Sequence, residues 1–411
     1  MPPSPMAVLI VDDDPTIAAV LQQVIRQLGP GLECESVWAN KGGLARSLLA
    51  TQRFQLVLLD YLLPDEDGLS VLAAINGLPP ADRPVVIMLT GAGNEQVAVA
   101  AMKMGVRDYI AKPVVDFPAL RRSIVASLDH YRLEEQLARS TEQLRRKNLE
   151  MEADLALARG VQLALLPRNY PVYPAGVSAD RSTLQFNQRW IPSAKVAGDL
   201  FDVFPVGIDE AGVFLCDVMG HGVRAALVTA LLRGLVRENL HLASRPGIFL
   251  AAINRGLQTL LGQTGDLVFV TAAYVVVHAG TGALRMANAG HPAPLHLQRR
   301  DGRVVSLAHP DGPGPALGLL SDPGYAEFVA VLAPGDSVVL FTDGLFEVAG
   351  ASDEEFGRAR LLTAVEDRLA LPTSQLIDAV LAEIRTFQGP DAKGFEDDVC
   401  LVAVDRIVTG R

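Results

Sequence analysis

The sequence predicts an α/β chain in three parts: a doubly wound parallel sheet at the N-terminus, a long helical connector, and an α-β-β-α sandwich at the C-terminus. Three observations lead there. Short apolar runs alternate with helical patterns in the N-terminal part, which implies a parallel sheet with helices on both faces. Beyond Pro118 one helix-period stretch continues to Leu166 with a single glycine, Gly160. The rest of the chain holds apolar strand patterns between helices with an apolar face. At 411 residues the chain exceeds one typical core.

In the N-terminal part, Ala7–Asp14 reads as a buried strand ending in acids, and Leu56–Asp60 as a second. Val85–Thr90 is a third, ending in a hydroxyl, and Asp108–Pro113 a fourth, ending in a lysine before a proline. Helical patterns lie between them, as in Pro15–Leu28 and Asn94–Met104. In such sheets functional groups gather at the carboxyl ends of the strands. Asp12, Asp13, Asp60, Thr90 and Lys112 therefore share one crevice.

This pattern resembles the response-regulator receiver domain over residues 6–129, a five-stranded doubly wound fold. The resemblance implies that Asp60 accepts a phosphoryl group from a cognate sensor histidine kinase. It implies that Asp13, Asp60 and the carbonyl of Leu62 bind Mg²⁺, with Asp12 acting through water. Thr90 and Lys112 would hold the phosphoryl oxygens, and Tyr109 stands at the aromatic switch position. The Lys112–Pro113 bond is expected to be cis. The chemistry is coherent, since a carboxylate nucleophile, a metal and a cation surround a transferring phosphoryl.

Residues 130–166 form the connector. Leu137, Leu144, Met151, Ala158 and Leu165 recur every seven residues, with Thr141, Asn148, Leu155 and Gln162 at the complementary core positions. The remainder is rich in Glu, Arg, Gln and Lys, as a coiled coil requires. A buried Asn148 favours one register and a dimer at some cost in stability. The expectation is a homodimer through this helix.

In the C-terminal part four aspartates share one local pattern: an apolar run, then Asp, with glycine or a second Asp close by. They are Asp199 in Val196–Asp202, Asp217 in Phe214–Gly222, Asp343 in Val339–Leu345 and Asp398 in Glu396–Leu401. An acid at the end of a buried strand is costly unless neutralised. No run of Lys or Arg neighbours these sites. A hard divalent cation with all-oxygen ligation is the simplest neutraliser. A lone Asp-Gly would be read as a turn; four such acids favour the metal.

The segments Gly198-Asp199, Asp217–Gly222, Thr342-Asp343-Gly344 and Asp397-Asp398 resemble the metal-dependent protein phosphatases of the 2C fold. The sporulation stage II E and stress-sigma-regulator branch fits best. Asn288–Pro294, Gly314–Gly318 and Ala158–Pro167 are further family-like stretches, and the resemblance runs from about residue 155 to about 405. It implies a phosphatase domain over 167–411 holding two Mn²⁺ or Mg²⁺ ions. Asp217 would bridge the ions and the carbonyl of Val218 would join it. Asp199 would hold one ion, Asp343 and Asp398 the other. Ala197 replaces a usual Gly and Met219 a usual Ser, and neither removes a ligand. His221 and His291 read as structural, at a helix start and a turn.

Composition narrows the partners. A formal charge of −11 argues against non-specific nucleic-acid binding. Cys34, Cys216 and Cys400 are far apart, with no disulfide frame or zinc spacing. No stretch is apolar enough to span a membrane and no basic leader opens the chain, so a cytoplasmic protein is expected. Two function classes remain. One is a response regulator whose output is a Ser/Thr phosphatase, its substrate a phosphorylated anti-sigma-factor antagonist. The other is a non-catalytic adaptor controlling sigma-factor availability or turnover. An adaptor has no need to keep Asp199, Asp217, Asp343 and Asp398 together, so the joint presence of these acids favours the enzyme.

Overall fold

The computed structural model of the chain describes residues 5–29, 32–91, 95–112, 116–220, 222–261, 268–350, 354–392 and 394–407. The chain divides into two compact units, Met1–Asn148 and Leu149–Arg411. The expected cis Lys112–Pro113 bond and the role of His221 lie outside the described residues. Among the described residues no helix is long and apolar enough to cross a membrane.

In the first unit, β1 (Met6–Val11), β2 (Cys34–Ala39), β3 (Leu56–Asp60), β4 (Val85–Gly91) and β5 (Asp108–Lys112) form a parallel five-stranded sheet in the order β2-β1-β3-β4-β5. Helices α1 (Pro15–Arg26), α2 (Gly42–Thr51), α3 (Gly68–Asn76) and α4 (Glu95–Lys103) connect the strands. The Asp14 side chain caps α1 by accepting the Thr16 N–H at 2.7 Å, and Pro15 stands in the first turn. One face of the sheet buries Val8, Ile10, Leu56 and Leu58 against Leu21 and Ile25 of α1. The other buries Leu9, Val57 and Leu59 against Val71, Leu72 and Ile75 of α3. This is the doubly wound arrangement the alternating runs predict.

Helix α5 (Phe117–Leu165) carries the chain across the division between the units. Its first turns belong to the first unit, where Leu120, Ile124 and Leu128 are fully buried. Leu133, Leu137, Leu144, Leu149, Met151, Leu157 and Val161 are exposed. Gln162 departs from expectation. The heptad pattern gives it a coil-core position, yet its side chain is buried against backbone of the second unit. A carboxamide can donate and accept at once, so one unsatisfied peptide holds it more strongly than an apolar seam does.

The second unit stacks two antiparallel sheets. One contains β7 (Asp199–Val206), β8 (Glu210–Val218), β9 (Val270–His278), β10 (Ala283–Ala289) and β13 (Glu327–Val331), in the order β13-β10-β9-β8-β7. The other contains β6 (Leu184–Ile191), β11 (Leu295–Gln298), β12 (Arg303–Ser306), β14 (Ser337–Phe341) and β15 (Val399–Arg406), in the order β12-β11-β14-β15-β6. Phe201, Val213, Leu215 and Val275 face Val338, Leu340, Val402 and Val404 between them. Helices α6 (Val223–Glu238) and α7 (Pro246–Leu261) cover the first sheet, and α8 (Gly357–Glu366) and α9 (Thr373–Gln388) the second. Arg237 of α6 reaches buried Asp202 on β7 at 3.3 Å, and Arg233 pairs with the same carboxylate. Helix α6 is thereby fixed to the strand that begins at Asp199.

An aromatic cluster holds α7 on its sheet. The Phe249 ring lies 4.4 Å from that of Tyr274 and 6.1 Å from that of Phe204, with all three fully buried. The Tyr274 hydroxyl donates to the Ala243 carbonyl at 2.9 Å, so the ring buries no unpaired polar atom. Truncation at this point leaves a cavity that the facing β-strands cannot fill. Phe249→Ala is expected to lower the unfolding free energy of the second unit by about 3–5 kcal/mol, read from urea titration. A loss under about 1 kcal/mol would show that the helix is held elsewhere.

Candidate functional site

Two acidic constellations lie at strand ends, one in each unit. In the first unit the parallel strands deliver Asp12, Asp60, Thr90 and Lys112 to the same edge, as expected. Asp12, Asp60 and Thr90 are buried and Asp13 is exposed. The ligand oxygens of Asp12, Asp13 and Asp60 lie within 4.8 Å of one another. Lys112 Nζ donates to Asp12 Oδ2 and to Asp60 Oδ2, each at 2.7 Å. Burial raises the Asp60 pKa, the Lys112 hydrogen bond and charge act against it, and the Asp12 charge adds to the rise. Burial works to lower the Lys112 pKa, but the two carboxylates outweigh it and the net shift is upward. The lysine therefore stays charged beside the buried Asp60 carboxylate.

The segment after Asp60 is built around a close backbone approach. A Cβ on Gly68 would meet the Asp60 carbonyl oxygen at 2.4 Å, so no larger residue fits at the start of α3. Leu62 is exposed, and Tyr109 on β5 is half exposed. The Trp38 indole N–H donates to the Asp12 carbonyl at 2.8 Å, a contact that no sequence pattern announced.

In the second unit the ladder sets Asp199 of β7 directly opposite Asp217 of β8. Asp343 opens a turn just after β14, and Asp398 immediately precedes β15. Asp199 and Asp398 are buried, while Asp217 and Asp343 are partly buried. A Cβ on Gly344 would meet the Asp398 carbonyl at 2.1 Å, so glycine lets these two segments touch. Burial followed by the Asp217 charge raises the Asp199 pKa well above the carboxylate range. Burial followed by the charges of Asp343, Asp397 and Asp398 brings Asp217 up to about 7. Burial, then Asp397, raises Asp343.

Neutral donors fix the outer oxygens of these acids. The Thr342 hydroxyl donates to Asp199 Oδ2 at 2.8 Å and accepts the Cys400 N–H at 2.9 Å. Asp398 Oδ1 accepts the N–H of Ser193 at 2.7 Å and its hydroxyl at 3.0 Å, and Oδ2 accepts the Gly198 N–H at 2.6 Å. The Trp190 indole donates to the Asp199 carbonyl at 3.2 Å. Gln162 accepts the Ala197 N–H at 3.0 Å and donates to the Ala197 carbonyl at 2.7 Å, so α5 grips the peptide two residues before Asp199. Among the described residues no three of Asp199, Asp217, Asp343 and Asp398 bring their oxygens as close as the trio of the first unit does. The donor set is all carboxylate, and burial with mutual charge raises the pKa of Asp199, Asp217 and Asp343. It fits a hard divalent cation.

His291 is buried, with Thr271 Oγ1 2.8 Å from Nδ1 and Asn288 bonded to its backbone N–H and carbonyl. Burial lowers its pKa to about 3, so the ring is neutral and unsuited to supplying a proton. Of the residues above, Thr342 stands inside a family-like segment of the sequence without having drawn a role there, and Gln162 had drawn a coil-core position instead. Ser193 carries no sequence signal at all.

The two units have counterparts among known proteins. The response regulator receiver domain family matches residues 8–125, and the Stage II sporulation protein E (SpoIIE) family matches residues 209–407. This chain thus carries a response-regulator receiver domain followed by a phosphatase domain of the SpoIIE/2C type. Protein IcfG of Synechocystis sp. is 25% identical over 277 residues, 62% of this chain and 41% of IcfG. Phosphoserine phosphatase RsbP of Bacillus subtilis is 23% identical over 258 residues, 62% of this chain and 59% of RsbP. The chain thus spans about half the length of these relatives. The SiaA-PP2C domain of Pseudomonas aeruginosa shares the fold of the second unit, with a TM-score of 0.54 and 23% identity, covering 64% of this chain and 99% of that domain. A phosphatase domain of this type implies a divalent-metal requirement, which the crowded carboxylates fit.

The raised pKa values fix a direction for pH. A carboxylate whose folded pKa exceeds its unfolded value near 3.9 stabilises the fold while protonated. That stability is complete at low pH and is lost as pH rises through the folded pKa, about 7 for Asp217. Without metal, the second unit is expected to lose thermal stability between pH 5 and 8, and excess Mn²⁺ should restore it. Calorimetry should also find more protons released per Mn²⁺ bound at pH 6 than at pH 8. Metal-free stability that climbs over this range would mean that protein cations, not protons, neutralise the acids.

Proposed function

We propose that this chain is a two-component response regulator whose output is a metal-dependent phosphatase of phosphoserine or phosphothreonine in proteins. The observation that carries this reading is the opposition of Asp199 and Asp217 across one strand pair, beside Asp343 and Asp398, in the same chain as the Asp12, Asp60 and Lys112 pocket. The proposed domains are the receiver over 6–129, the helical linker over 130–166 and the phosphatase over 167–411. Asp217, with Asp199, Asp343, Asp398 and the Val218 carbonyl, would hold two Mn²⁺ or Mg²⁺ ions. Such ions, when bound, offset phosphate charge and acidify water. The chain's own part is to hold the carboxylates open: Thr342, Ser193 and the Gly198 N–H orient them, and the Gln162 amide fixes the strand entrance. In the receiver, Asp60 is the phosphoryl acceptor and Asp12 and Asp13, with the Leu62 carbonyl, the Mg²⁺ ligands. Lys112 and Thr90 contact the phosphoryl oxygens, and Tyr109 is the switch residue.

The name of RsbP, a phosphoserine phosphatase, supports a phosphoserine substrate. The proposed substrate is a phosphorylated anti-sigma-factor antagonist in a partner-switching pathway, and the proposed donor a sensor histidine kinase. The proposed assembly is a homodimer through α5, supported by the exposed Leu137, Leu144 and Met151 at heptad spacing.

Two measurements test this reading. Asp217→Asn should cut hydrolysis of p-nitrophenyl phosphate with Mn²⁺ by more than about 100-fold while leaving the circular dichroism spectrum unchanged. Normal turnover in a folded Asp217→Asn protein would sink the metal mechanism. Acetyl phosphate with Mg²⁺ should add one phosphoryl group to the protein by intact mass and change turnover by about 5- to 150-fold. Asp60→Asn should abolish both effects, and an adduct that persists on the variant would remove Asp60 as acceptor.

A further inference from the structure

The sequence near the four phosphatase acids shows no run of Lys or Arg, yet among the described residues the fold brings a cation to the turn that one of them, Asp343, opens. Phe346 and Glu347 donate their N–H groups to the Asp343 carbonyl at 2.8 and 2.9 Å, closing a turn. Gly357 donates its N–H to the Phe346 carbonyl at 2.9 Å, which ties the start of α8 to that turn. Arg358 follows. Its guanidinium carbon lies 4.8 Å from the centre of the Phe346 ring, within cation–π range. Phe346 is buried and packs edge-on against Phe341 at 6.2 Å, so the platform is rigid.

What Arg358 does not do is equally informative. Its side chain is exposed, and no hydrogen bond or ion pair among the described residues engages it. Its neighbour Arg360 is occupied by Glu354 and by the Glu355 carbonyl at 2.7 Å, and Arg368 by Glu383 at 2.7 Å. Stacking on a ring orients a guanidinium while leaving its in-plane N–H donors free. The ring that carries the guanidinium lies three residues after Asp343, in the turn that Asp343 opens, so the stacked cation belongs to the acid site's own turn. A planar fork of donors beside a site for anions matches phosphate oxygens in a bidentate geometry.

We propose that Arg358, held on Phe346 beside Asp343, binds the phosphoryl group of the substrate at the mouth of the phosphatase site. The inference rests on reading the second unit as a phosphatase. Arg358 is a substrate-binding residue in this scheme, with no part in holding metal.

The test compares the full-length protein with Arg358→Ala and Arg358→Lys, using p-nitrophenyl phosphate as substrate and inorganic phosphate as inhibitor, both with Mn²⁺. Charge-assisted contacts of this kind predict that Arg358→Ala raises KM and the phosphate inhibition constant together by about 10- to 100-fold, with kcat little changed. Arg358→Lys should recover only part of the loss, since an ammonium is a point charge without the fork. Mn²⁺ affinity by calorimetry should be the same in all three proteins. Unchanged KM and phosphate inhibition in folded Arg358→Ala would overturn the proposal. So would a rise in KM that follows weakened Mn²⁺ binding, because Arg358 would then be a counter-ion for Asp343. Absence of turnover in the wild type would sink the phosphatase reading instead. Calorimetric titration of inorganic phosphate into the Mn²⁺-loaded proteins would then decide Arg358 alone: equal binding by wild type and Arg358→Ala overturns it, and loss in the variant upholds it.

Discussion

The mutual repulsion of buried carboxylates is the constraint from which most of the second unit follows. Asp199 and Asp217 face each other across a single ladder step, and the segments carrying Asp343 and Asp398 are pressed together at a glycine. A fold that assembles such a cluster must supply rigid scaffolding around it. The scaffolding is visible as neutral donors on the outer oxygens, a glutamine gripping the strand entrance, and two arginines pinning α6 to Asp202. None of these donors cancels the charge. The acids are oriented but left electrostatically unsatisfied, the condition under which a cation binds at a predetermined place.

The first unit meets the same difficulty in a different way. There Asp12 and Asp60 share a protein cation, Lys112, at 2.7 Å from each. The lysine spans from a different strand end, so it can stay with either carboxylate when charge at the other changes. One chain therefore holds an acid site partly neutralised from within and another that depends on what arrives from outside. The first suits a group that is charged and discharged repeatedly. The second suits a standing cofactor.

How much of this was legible in the sequence depends on whether chemistry or geometry carried the signal. A strand buried on both faces read directly: Leu56–Asp60 lies where its apolar run places it. Edge and half-buried strands did not read. Cys34–Ala39 mixes Glu and Ser with Val and Trp, and Leu184–Ile191 alternates through Gln, Asn and Arg, because only one face or part of one is covered. The phosphatase acids were legible because each adjoins an apolar run, although only Asp217 and Asp343 follow theirs, while Asp199 begins its strand and Asp398 immediately precedes its own. Their supports were not, since a single Ser193, Thr342 or Arg358 becomes meaningful only when chain segments far apart in sequence meet. Gln162 was visible but misassigned: seven-residue periodicity describes the helix surface and cannot say which part of that surface a neighbouring peptide will claim.

The two tryptophans of the chain give the acid sites a property unrelated to catalysis. Trp38 donates its indole N–H to the carbonyl of Asp12, and Trp190 donates to the carbonyl of Asp199. Each indole is thus coupled through one hydrogen bond to the backbone of one acid site. Indole emission responds to the polarity and charge at that nitrogen, so each site has its own built-in optical reporter. Replacing either tryptophan by phenylalanine would leave a protein whose intrinsic fluorescence speaks for the other site alone. Events in the receiver and in the phosphatase could then be followed separately, in real time, in unlabelled full-length protein.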